Sequence, residues 1–459
     1  MSTITAPTYD PTTTAQALAQ KQNAAAQSAL TSQTAAATAT ATALAKLGAS
    51  ITSFQSSLST LTGTGKTVLS QSATLSDTAY GSATASGRAV AGTYDFFVEK
   101  LATAGQATYS GLTDSTGNSG LLRVQLGTGG SGFDVDLGAA TGSDATLSVR
   151  ELAAAINNAG GNVGKVSASV VTFGTNTQLV LSATQSGAAS AVSLKLDGVN
   201  GPLKSALGAN VSATVPQDAV VWVGGQSGTR VQQASNTFSN VDGLAVTFTK
   251  AQASGDANLT VAVKTDNSGT AANVKSFVDA YNTLKKTLDG MVAAANADTG
   301  AAAGAFASDA GVLALQARLV GLLRPAGGAL TLASFGITAQ RDGTLALDSA
   351  RLTKQLAVSP DGLDRLLGST SPSNAGGVAK ALDTYLDQWS GSNGQIKQRT
   401  DANSKQKTDL TKRQETLDTQ YDAAYARYLK QFTDLQTLQA TMSSNVSLFD
   451  ALFSSDKSS

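Results

Sequence analysis

Residues 410–452 read LTKRQETLDTQYDAAYARYLKQFTDLQTLQATMSSNVSLFDAL, and two seven-residue series run through them. Tyr421, Tyr428, Leu435, Met442 and Phe449 form one series; Leu410, Leu417, Ala424, Gln431, Leu438, Asn445 and Leu452 form the other, offset by three. Interleaved series of this kind place one narrow apolar seam along a helix, and such a seam needs a partner helix. No proline or glycine interrupts residues 395–459. A helix from Thr400 to Leu452 would extend roughly 80 Å at ~1.5 Å per residue. Gln431 and Asn445 fall on the seam, either as a tolerated polar layer or as residues that set register at some cost in stability.

A candidate partner lies at the other end of the chain. Residues 15–61 are rich in Ala, Gln, Thr and Ser and contain no proline; their last third carries Leu44, Leu47, Ile51, Phe54, Leu58 and Leu61 at alternating spacings of three and four. That spacing predicts a second helical stripe. The two stripes together, with Tyr421, Tyr428, Leu435, Leu438, Met442, Phe449 and Leu452, are the candidate assembly contacts. The C-terminal part, Leu438, Met442, Val446, Phe449, Leu452 and Phe453, reads either as packing within the chain against the N-terminal helix or, as the favoured expectation, as packing between subunits or into another protein; one helix can do both with opposite edges of its stripe. Residues 1–14 are polar, with Pro7 and Pro11 and no periodicity, and are expected to be disordered until bound.

Between the ends the period falls to two. Residues 92–101, 121–126, 133–137, 166–171, 178–182, 219–223, 244–249 and 259–263 read as strands separated by Gly, Asn, Asp and Ser clusters. One helix intervenes at 148–157, where Ser148 and Glu151 form a capping box ahead of Leu152 and Ile156. Helical spacing returns at Val274, Phe277, Val278, Tyr281, Leu284 and Leu288, then over residues 308–323, with a loop at 293–305 between. Asp342-Gly343 separates two alternating runs and predicts a hairpin turn.

The expected fold class is α+β and multidomain, with terminal helices forming a coiled-coil leg, a helical domain, and inserted mainly-β domains. The boundaries assign 1–43 and 405–459 to the leg, 44–79 and 268–404 to the helical domain with its hairpin, 80–112 and 214–267 to a β domain, and 113–213 to an inserted β domain.

Composition narrows the function. Of 459 residues, 5% are aromatic and 14% charged, with 32 basic side chains balancing 32 acidic ones. No basic run exists to attract nucleic acid. Cysteine and histidine are both absent, which removes thiolate chemistry, the usual neutral-pH base and the commonest metal ligand. Only Glu99, Glu151 and Glu415 supply glutamates. The expectation is a non-enzymatic protein with no cofactor and no metal.

Local motifs agree. The G-x-G-x-x-G match at Gly127–Gly132 precedes a strand rather than a helix and reads as a hairpin turn. Asp134 and Asp136 share a strand face without the other oxygens that calcium needs. Ser404 and Lys407 match S-x-x-K on an exposed helix face with no pocket expected near them. The N-terminus has neither a basic region nor an apolar core, and no run of 18 apolar residues follows, so neither a cleavable signal nor membrane insertion is expected.

Several stretches together resemble the flagellar filament cap family, the hook-associated protein 2 family. Gly92–Gln106 is similar to its G-T/S-Y-x-I-x-V-x-x-L-A-x-A-Q block. Thr146–Asn157 followed by Val166–Ser182, and Asn240–Phe248, resemble further family stretches. Phe277–Leu284 resembles F-V-x-A-Y-N-x-L, and Leu332–Asp348 is near L-G-I-x-x-x-x-D-G-T-L-x-L-D. The departure is at the front, where Tyr9–Leu18 stands in place of a G-L-D-T/V-x-x-I-V-x-x-L segment. The resemblance implies export through the flagellar type III apparatus and a ring at the filament tip, typically a pentamer. It implies as partners other copies of the chain, flagellin, hook–filament junction proteins and an export chaperone. An alternative reading is a surface adhesin whose β domains bind host glycan or mucin.

Overall fold

The computed structural model describes residues 10–129, 131–141, 145–324, 330–368 and 376–454, with side chains at 453 and 454 excepted. Two units emerge, one built from both chain ends (to Thr64 and from Val274 onward) and one from Gly65–Asn273. The architecture is α+β, with long terminal helices and mainly-β segments between them.

The first helix spans Pro11–Thr62 and so begins earlier than the polar composition of residues 1–14 suggests. The Asp10 carboxylate accepts from the Thr12 and Thr13 amides at 3.1 and 3.2 Å. Those amides hold its pKa below the usual carboxylate value, and Pro11 starts the helix where its missing N–H costs nothing. Residues 1–9 of the expected disordered tip lie outside the described residues.

Leu44, Leu47, Ile51, Phe54 and Leu58 are buried, and Leu61 is half-buried. The expected pairing with the last helix holds at the start of the stripe, where Leu44 lies near Ala402 and Asn403, and gives way further along to other helices. The Phe54 ring lies 6.4 Å from Phe277 and 6.3 Å from Tyr281 of the helix Asn267–Val292. Gln55 donates to Asp383 and accepts from Ser390 Oγ, both on the helix Gly377–Ser390. A stripe spaced three and four demands burial without naming the neighbour, and several helices share the task here.

The hairpin forms as expected, Ile337–Ala339 against Leu345–Leu347, with Gly343 at φ +79° and the Asp342 carboxylate accepting from the Thr344 amide and hydroxyl. Asn282 clamps it to its helix. Its amide donates to Leu345 O at 2.8 Å, and its oxygen accepts from Leu345 N at 2.7 Å. Beside the turn, buried Lys285 pairs with Asp289, which also accepts from Gln316. The helices Ser349–Val358, Gly362–Leu367 and Gly377–Ser390, not anticipated from sequence, complete the helical core of this unit.

The second unit holds two cores. A five-stranded antiparallel sheet, ordered 71–75, 259–265, 92–100, 219–223, 229–233, shares one core with a three-stranded sheet ordered 237–241, 244–248, 81–85. Phe96 meets Phe238 and Phe248 at 5.3 and 5.8 Å between ring centres. Gln71–Leu75, placed by sequence with the helical segment, is therefore a strand of this sheet, paired with Leu259–Thr265.

The other core lies between a four-stranded sheet, ordered 211–214, 104–112, 176–186, 166–173, and a second sheet built on Ser119–Leu126. Ala104–Leu112 thus joins the inserted sheet through its pairing with Asn176–Ser186, across the boundary drawn at 112. The helices Val149–Asn158 and Pro202–Ala209 pack into the same core, and the Ser148–Glu151 capping box is formed. Gly127, at φ +63°, opens the turn into the strand Ser131–Asp136, whose predicted start was Phe133. Gly130 lies outside the described residues. Asp134 pairs with Arg123 at 3.1 Å, and Asp136 caps the short helix Leu137–Ala140.

The edge strand Val166–Phe173 is held by two asparagines. Asn157 donates to Ala168 O and accepts from Ala168 N, both at 2.8 Å. Asn162, 1% exposed, does the same to Val166 at 2.9 and 2.8 Å and also donates to Ile156 O at 3.0 Å. Replacing Asn162 with Ala strands three backbone groups in the core. The expected loss is about 2–3 kcal/mol, read by equilibrium urea unfolding of the full chain, and an unchanged midpoint refutes it.

Tyr281 gives a pH prediction. Burial, with the Asp289 charge adding to it, pushes its phenol up to about 12 from an ordinary value of 10. A folded pKa above the unfolded one means that the stabilisation is complete below pH 10 and is lost as pH rises toward 12. Tyr281→Phe, which gives up the hydroxyl bonded to Gly343 O, is expected to flatten that alkaline decline when unfolding is followed from pH 9 to 11.

Candidate assembly interface

The last helix runs Gln395–Ser454, 60 residues. Its start is anchored in the helical unit. Arg399 forms a two-pronged pair with Asp309 at 2.7 and 3.1 Å and lies over the Trp389 ring at 5.2 Å. Asp309 also caps the helix Ala310–Leu322 through Val312 N. Planar guanidinium and carboxylate groups match in two bonds, so this contact fixes direction as well as proximity.

From there the helix runs antiparallel to the first. Ile396 lies beside Gly48, Gln414 exchanges amide hydrogen bonds with Gln27 at 3.0 and 3.1 Å, and Arg427 and Tyr428 both donate to Gln22 Oε1 at 3.1 Å. Leu30 and Ala37 bury against Leu410 and Leu417. Ala15, Ala19 and Ala37 are nearly inaccessible on the first helix. Alanine at contact positions lets two backbones approach closely and explains the small-residue composition of residues 15–43.

One seven-residue series is core as far as Ala424, where Leu410, Leu417 and Ala424 are 5%, 7% and 3% exposed. Tyr421 and Tyr428 are half-buried. Beyond them the same register continues, but the burial stops. Leu435, Leu438 and Met442 are 41%, 56% and 59% exposed, and Val446 and Leu448 behave alike. Phe449 and Leu452 are exposed as well. Gln431 and Asn445 are also exposed, so neither is a buried polar layer within the chain. The side chain of Phe453 lies outside the described residues.

Part of the reason is arithmetic. The first helix begins at Pro11, and with Gln22 opposite Tyr428 its remaining turns reach about residue 439. The last helix therefore outruns it by about four turns, while Leu435 and Leu438 lie beside the first helix but face away from it. Lys430 and Asp434, 2.8 Å apart, carry helical pairing into the overhang, and the carboxylate raises the lysine pKa.

The candidate residues thus divide. Leu44, Leu47, Ile51, Phe54 and Leu58 are internal core and present no surface. Leu435, Leu438, Met442, Phe449 and Leu452 lie on the exposed stretch. Sequence periodicity treats the two classes alike, because it reports a seam and not its occupant. A groove of ≈ 970 Å³ beside the helix pair is lined largely by Thr and Ala, including Thr38, Ala39 and Thr42, with Lys46 and Lys286 as its cationic groups. Among the described residues no group of three acidic side chains could hold a metal ion, and no helix is long and apolar enough to cross a membrane.

Comparison with known proteins identifies the family. Residues 8–105 match the family described as flagellar hook-associated protein 2 N-terminus, and residues 216–444 match its C-terminus. The lateral flagellar hook-associated protein 2 of Vibrio parahaemolyticus is 30% identical, covering 79% of this chain and 81% of its own. The B-type flagellar hook-associated protein 2 of Pseudomonas aeruginosa is 30% identical, covering 87% and 86%. The crystal structure of the flagellar cap protein FliD D1-D2-D3 domains from Escherichia coli superposes with a TM-score of 0.56 at 25% identity, over 79% of this chain and 99% of that one. The chain belongs to the flagellar hook-associated protein 2 family.

Proposed function

We propose that this protein caps the distal end of a bacterial flagellar filament as a ring-shaped homo-oligomer, retaining exported flagellin and promoting its polymerisation. Its partners on this reading are other copies of itself, flagellin, hook–filament junction proteins and an export chaperone. It reaches the filament tip through the flagellar type III export apparatus. The work is structural, with no bond made or broken. The terminal segments, residues 1–43 and 405–459, act as the leg that docks, and the β segments act as the plate.

One observation carries the reading: the seam buried by the first helix up to Ala424 continues, exposed, through Leu435, Leu438 and Met442. A contiguous apolar stripe held in water is unfavourable, and patches of this kind mark interaction sites. A helical stripe in heptad register fits another helix best. Membership in a family whose relatives are named for the flagellum supplies the setting.

The test is a chromosomal replacement, Leu438→Gln with Met442→Gln. Both side chains are exposed, so the purified chain is expected to unfold at an unchanged urea midpoint. Swimming is expected to fail and flagellin to accumulate in the medium, as in a strain deleted for the gene. Normal motility with normal flagellin retention overturns the role of the overhang.

A further inference from the structure

The four-stranded sheet of the second unit has two edges, Val166–Phe173 and Val211–Thr214. Along an edge strand, alternate residues turn their N–H and C=O groups inward to the ladder or outward. At Val166 and Ala168 the outward groups are taken by Asn162 and Asn157. The alternation therefore turns the groups of Val170 and Thr172 outward as well, and among the described residues no strand pairs with them. Half of this edge is masked and half is open. The open half ends in Phe173, 68% exposed.

At the opposite edge, Ser110 N donates to Asn210 O at 3.0 Å. That contact turns Asn210, Ser212 and Thr214 toward the strand Ala104–Leu112 and leaves the groups of Val211 and Ala213 facing out. All four residues of Val211–Thr214 are exposed. Charged side chains and proline are the usual means of blunting an open edge, and neither occurs in 166–173 or 211–214.

The two edges match each other. Each offers two outward residues spaced by two, Val170 and Thr172 on one side, Val211 and Ala213 on the other. The sheet is antiparallel throughout, so its two edge strands run in opposite directions. A second copy's Val211–Thr214 laid against Val170–Phe173 would run antiparallel to it and hold both sheets in the same orientation. Both edges are uncharged, so no like charges oppose across the joint.

We propose that Val211–Thr214 of one copy adds to Val170–Phe173 of the next, joining the inserted sheets of successive copies head to tail through main-chain hydrogen bonds. The two surfaces differ, so the contact is heterologous, the kind that generates rings when its rotation closes. The Asn157 and Asn162 clamps confine the incoming strand to the second half of the edge and set its register. This proposal rests on the self-assembly reading above and names a contact for it.

Thr172→Pro and Ala213→Pro test it, since each removes one outward N–H and leaves the inward ladder intact, a position where edge strands accept proline. Amide hydrogen exchange on the full chain is followed as concentration rises through its association range, with circular dichroism confirming that each variant is folded. In the unmodified chain, segments 168–173 and 210–215 are expected to gain protection together, about tenfold or more. Each variant alone is expected to lose it at both segments. An equimolar mixture restores it at 168–173 of the Ala213→Pro chain and at 210–215 of the Thr172→Pro chain only. Association without protection at these segments, or protection surviving in either variant alone, overturns the edge contact and leaves self-assembly standing. A chain that stays monomeric throughout overturns both.

Discussion

The antiparallel register between the first and last helices, set where Gln22 meets Arg427 and Tyr428 and where Leu30 and Ala37 meet Leu410 and Leu417, decides what this molecule can offer to others. Arg399 on Asp309 anchors one end of that register in the helical unit. Once it is set, the seam is buried as far as Ala424 and half-buried at Tyr428, and the last helix runs on past the point that Pro11 reaches. The seven-residue spacing continues unchanged from Leu410–Ala424 into Leu435–Leu448, although the charged residues of the first stretch give way to Gln, Thr, Ser and Asn. A surface is thereby made without a dedicated binding loop or pocket, by letting one helix outlast the other.

The same logic applies to backbone polar groups. Asn157, Asn162, Asn236 and Asn282 each use one side-chain amide to donate to a backbone carbonyl and accept from the N–H of the same residue, at Ala168, Val166, Ala102 and Leu345 respectively. A carboxamide so placed imitates one residue of a neighbouring strand. In a chain with few charges, this is an economical way of closing edges that would otherwise be unsatisfied.

Much of this was legible in the sequence where a local rule has a single solution. The Ser148–Glu151 box, the Asp342-Gly343 turn, the uninterrupted heptads after Gln395 and the alternating strand at 219–223 each specify their own geometry. Ala104–Leu112 was not read as a strand because Ala, Gly and Ser give it little alternation; its partners Asn176–Ser186 and Val211–Thr214 define it. The helix Gly377–Ser390 was missed although Val378, Leu382, Leu386 and Trp389 carry helical spacing, because the surrounding Gly and Ser read as a loop. The exposure of Leu438 against the burial of Leu44 could not be read at all. Both sit on stripes of similar quality, and only the relative lengths and register of distant helices separate them.

The weakness of the overhang's seam follows from the same constraint. Between Leu435 and Leu452 the apolar positions are interleaved with Gln, Thr, Ser and Asn, and Asn445 falls on the seam itself. A helix that must stand in water before it docks cannot carry a full Leu and Ile stripe without associating indiscriminately. A polar residue at a core position lowers the stability of any coiled coil it enters while narrowing the registers in which it pairs. A helix of this composition would bind its site in a defined register and still let go. The buried part of the leg needs no such compromise. Leu410, Leu417 and Ala424 are buried within the chain, and the polar seam positions begin only at Gln431, where the burial stops.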